Sequence, residues 1–416
     1  MHRTAFFVAG LACVLSWAGP VQSAELNVSP GESLAAIIAR ANPGDHLLIE
    51  PGRHKGGLLL DRPLKLSGMP GAEIDGGGEG SVIVVDGPDV QIEGLRIVGS
   101  GTSHETIDSG VKLTENATNA RVIGNHLEGN LYGVDIHGAR DALVAQNTIV
   151  GSLDVRMNDR GNGVYVWNAP GSQVVGNTIR FGRDGIFVNA SRNNSFRGNH
   201  FERLRFAVHY MYADDSEVIA NYSQDNHLGY AIMFSTAVKV LDNVSVRDRD
   251  YGVMLNYAND SLVRGNQVYD SSEKCLFMYN ANKNVIEGNH FERCQIGIHF
   301  TAGSERNAVT DNAFVANRLQ VKYVGSRYHD WSGNFWSDHV ASDVNADGVA
   351  DQPFRPNDRL DQVLWTQPAA RLLLGSPALQ LVRWAQRAFP TLLPGGVTDT
   401  SPLMRPHNEP ALTEVF

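Results

Sequence analysis

The sequence predicts an all-β fold, a parallel β-helix with coils of about 22 residues, on two observations. Asparagine recurs at steps of 22 or 23 residues, with one step of 30, at positions 125, 147, 177, 199, 221, 243, 266, 289, 312 and 334. Fourteen residues before most of these asparagines, a small residue opens a run of alternating apolar positions, as in Gly133-Val134-Asp135-Ile136. A fixed period of this length indicates one supersecondary unit stacked many times, and the alternation indicates strands with a buried face.

Residues 1–23 have the features of a secretory signal peptide. The basic Arg3 precedes an apolar run over 5–17, and the small residue Ser23 offers a cleavage site before Ala24. Thirteen apolar residues are too few for a permanent membrane anchor. We therefore expect an exported protein whose mature chain does not span the membrane.

The charge balance argues against nucleic acid as a partner. The chain has 35 Lys and Arg against 45 Asp and Glu, and loss of Arg3 with the signal peptide changes the net charge from −10 to −11 (34 minus 45). Proteins that bind phosphate backbones carry a basic excess. The acidic residues are spread along the chain, which is typical of a soluble surface.

The repeat divides the mature chain into an N-terminal part and a regular part. Residues 24–108 are expected to form a helical cap and irregular early coils, with a helix over 32–41 whose apolar face carries Leu34, Ile37, Ile38 and Ala41. Such a cap covers the apolar side chains and the unpaired strand edge of the first coil. Regular coils are expected over 109–336. An extruded loop over 153–162 explains the long step, because the register resumes at Gly163.

An Asp-rich segment at 337–358 resembles the front of a calcium loop. It places oxygen ligands at alternate positions, with Gly348 at the sharp turn, and the candidate ligands are Asp343, Asn345, Asp347 and Asp351. Phe354 occupies the position where a calcium loop has its bidentate glutamate. A structural calcium site and a plain Asp/Asn turn are therefore both open.

Residues 359–416 are expected to form a helical and then extended C-terminal segment. Ser376-Pro377 is a good helix start, and the apolar face that follows carries Leu381, Val382, Ala385, Ala388 and Phe389. A helix of this length cannot cross a membrane. It either caps the end of the β-helix or lies against a membrane partner.

The mature chain has two cysteines, Cys275 and Cys294, which are 19 residues apart. Residues that stack in adjacent coils are separated by about 22 positions, so these two cysteines belong to different columns. Because misaligned Cα positions strain a disulfide, we expect two buried thiols rather than a bridge.

The outward positions of the central coils are unusual in composition. When the small residue of each coil is position zero, positions one and three point into the core, and positions two and four point outward. Position two reads Tyr165, Phe187, His209, Ala231, Met254, Phe277 and His299. Position four reads His137, Trp167, Asn189, Met211, Met233, Asn256, Tyr279 and Thr301. Exposed, contiguous apolar surface of this kind usually marks a binding site.

Two functions are consistent with this band. Thioether and imidazole groups are suitable ligands for copper as Cu(I), and the candidate ligands are Met211, Met233, Met254 and His209. Aromatic side chains suit protein docking, and the candidate contacts are Tyr165, Trp167, Phe187, Phe277, Tyr279 and His299. A third interpretation is structural, with the C-terminal segment folded back over the band.

The central coils resemble the NosD family, the periplasmic maturation proteins of nitrous oxide reductase. The resemblance lies in Arg205-Phe206-Ala207-Val208-His209-Tyr210-Met211-Tyr212 and Leu228-Gly229-Tyr230-Ala231-Ile232-Met233-Phe234-Ser235. Ile74-Asp75-Gly76-Gly77-Gly78 and Trp331-Ser332-Gly333-Asn334-Phe335-Trp336 also resemble that family. Nearly the whole mature chain is covered by the likeness.

The resemblance implies a right-handed, single-stranded β-helix in the periplasm with a non-catalytic role. It implies three partners: an ABC transporter with its membrane subunit and ATPase, a copper-chaperone lipoprotein, and nitrous oxide reductase. The cargo for the copper–sulfide site of the reductase would be copper, with sulfur as the alternative. No motif of the family assigns the copper ligands.

A carbohydrate-active enzyme, such as a polyuronate lyase or epimerase, is the rival class because parallel β-helices often host such activities. Asp135-Ile136-His137 and Asp214-Asp215 are the groups that could serve as acid and base. However, the sequence lacks the Asp pair with Gly-His-Gly and Arg-Ile-Lys partners of β-helical hydrolases. The sequence therefore predicts no catalytic residues.

Overall fold

The computed structural model describes residues 23–301, 303–324, 329–357, 361, 367, 369, 372, 376–388 and 396–407. Within these residues the chain winds as a right-handed parallel β-helix, which confirms the predicted fold class. The predicted signal peptide lies outside the described residues except for Ser23.

Each regular coil passes through three parallel sheets that run along the solenoid. Sheet 1 has 14 strands, which are β1 (Glu25–Val28), β2 (His46–Ile49), β5 (Lys65–Gly68), β8 (Gln91–Glu93), β11 (Arg121–Ile123), β14 (Leu143–Ala145), β17 (Gln173–Val175), β20 (Ser195–Arg197), β23 (Glu217–Ile219), β26 (Lys239–Leu241), β29 (Leu262–Arg264), β32 (Val285–Glu287), β35 (Ala308–Thr310) and β38 (Asp330–Ser332). Sheet 2 has 12 strands, which are β4 (Leu58–Leu60), β7 (Ile83–Val85), β10 (Ser109–Leu113), β13 (Tyr132–His137), β16 (Val164–Trp167), β19 (Asp184–Arg192), β22 (Phe206–Asp214), β25 (Leu228–Met233), β28 (Tyr251–Asn256), β31 (Lys274–Tyr279), β34 (Ile296–Phe300) and β37 (Leu319–Tyr323). Sheet 3 has 13 strands, which are β3 (Gly52–Lys55), β6 (Ala72–Asp75), β9 (Arg96–Val98), β12 (His126–Glu128), β15 (Thr148–Val150), β18 (Thr178–Arg180), β21 (His200–Glu202), β24 (Tyr222–Gln224), β27 (Val244–Val246), β30 (Gln267–Tyr269), β33 (His290–Glu292), β36 (Ala313–Val315) and β39 (Phe335–Trp336).

The N-terminal cap is a strand followed by a short helix. Helix α1 spans Leu34–Arg40, and Ser33 caps it by accepting a hydrogen bond from the Ala36 amide at 3.3 Å. The helix is shorter than the predicted 32–41, and its buried face carries Leu34, Ile37 and Ile38, as predicted. Strand β1, which the sequence did not predict, begins sheet 1 by pairing in parallel with β2.

The core is filled by positions one and three of each coil, as the alternation predicts. Val134 and Ile136 are fully buried, and the equivalent residues of later coils are buried in the same way. Position zero must be small because sheet 3 packs against it. A Cβ at Gly185 would clash with the ring of Phe201, and a Cβ at Gly252 would clash with Val268.

The recurring asparagines form a buried hydrogen-bonded ladder at the corner between sheets 1 and 3. Asn243 shows the pattern: its Nδ2 donates to Val218 O at 2.8 Å and to Asn266 Oδ1 at 2.9 Å. Its Oδ1 accepts from the amide and Nδ2 of Asn221, at 3.0 and 2.9 Å. Each asparagine therefore satisfies backbone groups that the corner would otherwise leave unpaired.

The chain returns to the solenoid at its C-terminal end and closes it there. Asp399 is fully buried, and its Oδ2 accepts from the amide of Asn334 at 2.9 Å, from Asn334 Nδ2 at 3.1 Å and from Trp336 Nε1 at 3.0 Å. Asp399 thus replaces the next asparagine of the ladder. Leu403 forms β-bridges with Phe335 and Val349. Residues 396–407 are the C-terminal cap.

A second helix, α2 (Pro377–Ala388), lies between the last coil and the C-terminal cap in the sequence. Leu381, Val382 and Trp384 on this helix are exposed by 64%, 42% and 62%. The predicted helix face is therefore not buried against the solenoid at these positions, while Phe389 lies outside the described residues. No helix in the described part of the chain is long and apolar enough to cross a membrane.

The prediction of two free thiols is wrong, because Cys275 and Cys294 form a disulfide. Cys294 occupies the corner column that holds Asn226, Asp248 and Asn317 in other coils, where the side chain turns inward. Cys275 stands at the inward-facing position zero of the neighbouring strand. The bend of the chain brings their Cα atoms to 5.7 Å, although they are three positions out of register.

The long repeat step is a loop extruded from one coil, as predicted. A short 3₁₀ turn over Met157–Asp159 is its only regular structure among the described residues. Strands β13 and β16 on either side of it pair without a shift, with Val134 opposite Val164.

Candidate functional site

Sheet 2 aligns the outward residues of successive coils into two continuous columns, which confirms the alignment predicted from the repeat. The position-two column contains Tyr165, Phe187, His209, Ala231, Met254, Phe277 and His299. The position-four column contains His137, Trp167, Asn189, Met211, Met233, Asn256 and Tyr279. Adjacent strands are about 4.8 Å apart, so neighbouring side chains within a column are in contact range. We call these two columns the outer stripe.

The predicted copper ligands surround a single alanine in the middle of the outer stripe. Ala231 is paired with His209 on one neighbouring strand and with Met254 on the other. Met211 and Met233 are paired with each other in the adjacent column. Ala231 is fully buried beneath these longer side chains. We call His209, Met211, Met233 and Met254 the donor cluster, with the small Ala231 at its centre in the strand register.

His209 is held in one orientation and has a free ring nitrogen. Its Nδ1 lies 3.1 Å from Asp184 Oδ2, and its ring packs against Phe187 and Phe206 at centroid distances of 4.7 and 4.8 Å. The residue is 7% exposed. Its Nε2 is buried and has no hydrogen-bond partner among the described residues. A buried polar atom without a partner carries a free-energy cost of about 1–3 kcal/mol, which a bound ligand would remove.

A metal site in this stripe would depend on methionine sulfur. Within the described part of the chain, no group of three or more His, Cys, Asp or Glu side chains could hold a metal ion. The donor cluster supplies one imidazole and thioether sulfurs instead. This donor set favours Cu(I) over harder divalent cations.

The aromatic residues predicted to contact partners lie on both sides of the donor cluster. Towards the N-terminus, Tyr165 stacks on Phe187 at 5.4 Å. Towards the C-terminus, Phe277 packs against His299 at 5.3 Å. Burial, together with Lys322 and Lys274, lowers the pKa of His299 to about 3, so its imidazole is neutral at physiological pH. The remaining two lie at either end: Trp167 stacks on His137 at 4.3 Å, and Tyr279 is exposed.

A second row of aromatic rings runs beside the donor cluster, and the sequence reasoning missed it. Tyr212, Phe234 and Tyr257 stack at centroid distances of 5.2 and 5.1 Å, and Tyr257 meets Tyr279 edge-on at 5.6 Å. We call these residues the aromatic row. The first three each follow a position-four residue and have a left-handed φ of 50–53°, so the strand alternation did not place them. Their recurrence at the repeat spacing was the available signal.

The carboxyl groups predicted for the rival enzyme class are either buried, as Asp135 is, or exposed at a strand end and in the turn after it, as Asp214 and Asp215 are. Asp135 is fully buried, and neither carboxylate oxygen has a hydrogen-bond partner within the described residues. Lys112 Nζ lies 3.5 Å from its Oδ2, and burial raises the pKa of Asp135 to about 7 despite this charge. Asp214 accepts a hydrogen bond from the Thr236 amide at 2.7 Å, and Asp215 has a φ of 50° in a turn.

The Asp-rich loop folds as a turn that uses its own carboxylates. Asp343 Oδ2 accepts from the Gly348 amide at 2.9 Å, and Asp347 Oδ1 accepts from the Val349 amide at 2.9 Å. Asn345 Nδ2 donates to Asp347, and Asp351 Oδ2 accepts from the Val344 amide. These contacts are those of the plain Asp/Asn turn, and calcium binding here stays a prediction.

Fold and site together define a class: a right-handed parallel β-helix with thioether and imidazole side chains along one outer sheet. A family model described as periplasmic copper-binding protein (NosD) matches residues 145–345. A probable ABC transporter binding protein NosD of Stutzerimonas stutzeri is 37% identical, over 98% of this chain and 96% of the relative. Its namesake in Pseudomonas aeruginosa PAO1 is 39% identical, over 92% of this chain and 94% of the relative. The chain belongs to the NosD family.

Solved structures show the same fold at low sequence identity. A Yersinia enterocolitica family 28 exopolygalacturonase superposes with a TM-score of 0.54 at 11% identity, covering 74% of this chain and 78% of the enzyme. A mannuronic acid specific family 6 lyase from the human gut microbiota gives 0.57 at 13% identity, covering 75% and 86%. At this identity the likeness concerns the β-helix alone.

Proposed function

We propose that this protein binds copper as Cu(I) at the donor cluster and transfers it in the periplasm. The observation that supports this most is the buried, unpartnered Nε2 of His209, in the same outer stripe as the three methionines of the cluster. The described copper-binding character of the family points to the same chemistry. The recipient would be the copper–sulfide site of nitrous oxide reductase, with sulfur as an alternative cargo.

The donor set suits a carrier rather than a permanent site. Thioether sulfurs are neutral, soft ligands, so they hold Cu(I) without a charge that would retain it against a stronger acceptor. The donors lie on an outer face, where Met211, Met233 and Met254 are partly exposed. A partner can therefore approach the metal directly.

The surfaces around the cluster are suited to the expected partners. The aromatic row adjoins the cluster on the outer face and would receive the copper-chaperone lipoprotein and the reductase. The exposed face of α2 would contact the membrane subunit of an ABC transporter driven by its ATPase. Aromatic and aliphatic side chains that are exposed in the free protein are the usual anchors of such contacts.

The test is an anaerobic Cu(I) titration of the mature protein against a competing chelator. The triple variant Met211→Leu, Met233→Leu and Met254→Leu deletes the thioethers and keeps the side-chain volume, so we expect the affinity to fall at least about tenfold and the melting temperature to change little.

The matched control is Met278→Leu, which deletes a thioether from the fully buried core and should leave the affinity unchanged. Wild-type affinity in the triple variant would contradict the proposed function.

A further inference from the structure

The buried carboxylate of Asp184 contacts two side chains at once, Arg205 and His209. Its Oδ1 accepts from Arg205 Nε at 2.7 Å, and its Oδ2 accepts from an Arg205 terminal nitrogen at 2.5 Å and lies 3.1 Å from His209 Nδ1. Asp184 is fully buried. Burial alone would raise the pKa of Asp184, but the hydrogen bonds from His209 and Arg205 outweigh it and lower the pKa. This two-point contact with the guanidinium of Arg205, which is always charged, is the geometry of a carboxylate ion pair.

An ionised Asp184 determines which nitrogen of His209 carries the proton. A carboxylate accepts hydrogen bonds but donates none, so the nitrogen that faces it, Nδ1, must be protonated. In the neutral imidazole the lone pair then lies on Nε2. That atom is the one left without a partner in the donor cluster.

The solenoid itself does not require an acid at this position. Asp184 occupies the position before the small residue of its coil. Other coils place apolar or neutral polar residues or a lysine there, namely Ser109, Tyr132, Asn162, Phe206, Leu228, Tyr251, Lys274, Ile296 and Leu319, and the register aligns Asp184 directly with Phe206. An acid is therefore not needed for the fold at this point, and the acid in this one coil coincides with the histidine of the cluster.

We propose that Asp184 is a positioning residue for the copper site, with Arg205 fixing its carboxylate through two hydrogen bonds. This inference rests on the proposed function. Asp184 fixes His209 as the Nδ1–H tautomer and so leaves the lone pair on Nε2, while Phe187 and Phe206 restrict rotation of the ring. Carboxylates that orient metal-binding histidines in this way typically affect metal affinity by about 10- to 100-fold.

The first measurement needs no copper. Long-range nitrogen–proton NMR of the mature, metal-free protein at pH 7.5, assigned with His209→Gln, reports the tautomer of His209. We expect a protonated Nδ1 and a bare Nε2. A protonated Nε2 in the wild type would overturn the inference, whatever the protein does with copper.

The second measurement is the Cu(I) affinity of Asp184→Asn at pH 7.5. The amide can donate to Nδ1 as well as accept from it, so the ring loses its fixed tautomer, and the variant should bind Cu(I) about tenfold or more weakly. The nitrogen–proton NMR pattern of His209 in this variant should show both tautomers, which a purely structural role of Asp184 would not produce.

Two controls separate the outcomes. Asp248→Asn removes another fully buried carboxyl group, one that accepts from Ser223, Ser245 and the Asn226 amide; it should leave the copper affinity and the tautomer of His209 unchanged. Asp184→Glu keeps the charge and should recover part of the affinity. If the wild type binds copper and Asp184→Asn binds it with the same affinity, the positioning role is overturned and the proposed function is left intact. No copper binding by the wild type would overturn the proposed function, and with it the copper role of Asp184.

Discussion

At the scale of single residues, the proposed copper site lies where a side chain breaks the pattern of its column. Ala231 is the small residue among larger neighbours, and within the described residues His209 is buried with an unpartnered nitrogen. The sequence predicted the columns of these side chains because the repeat fixes the register, and copper binding by them stays a prediction. It did not reveal that Asp184 meets His209, since the two are 25 residues apart and lie in different columns.

A larger side chain at position 231 should block copper without removing any ligand. In Ala231→Leu the added side chain would lie between His209 and Met254, which are paired with this position on the two neighbouring strands, so we expect Cu(I) affinity to fall by at least about tenfold. Ala231→Gly adds no bulk and should retain binding, at a folding cost of about 1 kcal/mol or less. The chelator titration checks both variants, and near-wild-type binding by Ala231→Leu would count against this location.

Asp135 should make the protein less stable as the pH rises. Its pKa is raised from 3.8 to about 7, so the folded protein holds the proton more tightly than the unfolded chain, and this contribution is lost between pH 4 and pH 7. Asp135→Asn removes this pH-dependent loss of stability. We expect the free energy of unfolding to change little at pH 4 and to increase progressively up to pH 8, by at most about 4 kcal/mol. The melting temperature, measured across this pH range, should follow the same trend.

Asp86 provides a control of opposite sign for that experiment. Hydrogen bonds from Thr114 and Asn116 lower the pKa of Asp86, so its contribution to stability is present at neutral pH and lost in acid. The loss of stability caused by Asp86→Asn should therefore be largest at neutral pH and disappear as the pH falls. A melting-temperature difference for Asp135→Asn that is constant with pH would contradict the buried-carboxylate explanation.

At the scale of the coil, the ladder and the small position zero explain why the repeat could be read from the sequence. Asparagine recurs because each corner has backbone groups that only an inward amide satisfies, and glycine recurs because sheet 3 packs against it. The repeat spacing gave a wrong prediction for Cys275 and Cys294, which form a disulfide. The spacing rule assumes straight strands, whereas the bend at this corner brings residues of different columns together.

Removing one rung should destabilise the solenoid more than removing a surface amide. Asn243→Ala leaves the Asn221 amide and Val218 O without their partners in the core, and we expect a loss of about 3 kcal/mol in the free energy of unfolding. Asn116→Ala, at an exposed turn, should cost well under 1 kcal/mol. Equal effects of the two changes in chemical denaturation would contradict a structural role for the ladder.

At the scale of the whole molecule, the solenoid is closed at both ends and carries its working surface along one side. Helix α1 covers the first coil, and residues 396–407 close the last one through Asp399. The sequence indicated the N-terminal cap from its helical period. It could not reveal the C-terminal cap, because a single Asp that continues an asparagine ladder after 65 residues has no periodic signal.

Changes in the C-terminal cap should affect stability, whereas changes in α2 should affect binding of the transporter. Leu381→Ser, Val382→Ser and Trp384→Ser change exposed side chains, so the melting temperature should hold while recovery of the transporter in a pull-down falls. Asp399→Ala removes the last acceptor of the ladder and should lower the melting temperature instead. Undiminished transporter recovery with the serine variant would contradict the role proposed for α2.

Whether stacked coils gather soft donors into a copper site is tested most directly by anomalous X-ray diffraction at the copper edge. Crystals of the mature protein would be loaded anaerobically with Cu(I). The structure predicts a copper peak above Ala231, bonded to His209 Nε2 and to methionine sulfur of the donor cluster. A peak on another face of the solenoid, or none at a copper concentration that saturates the protein in solution, would contradict this site.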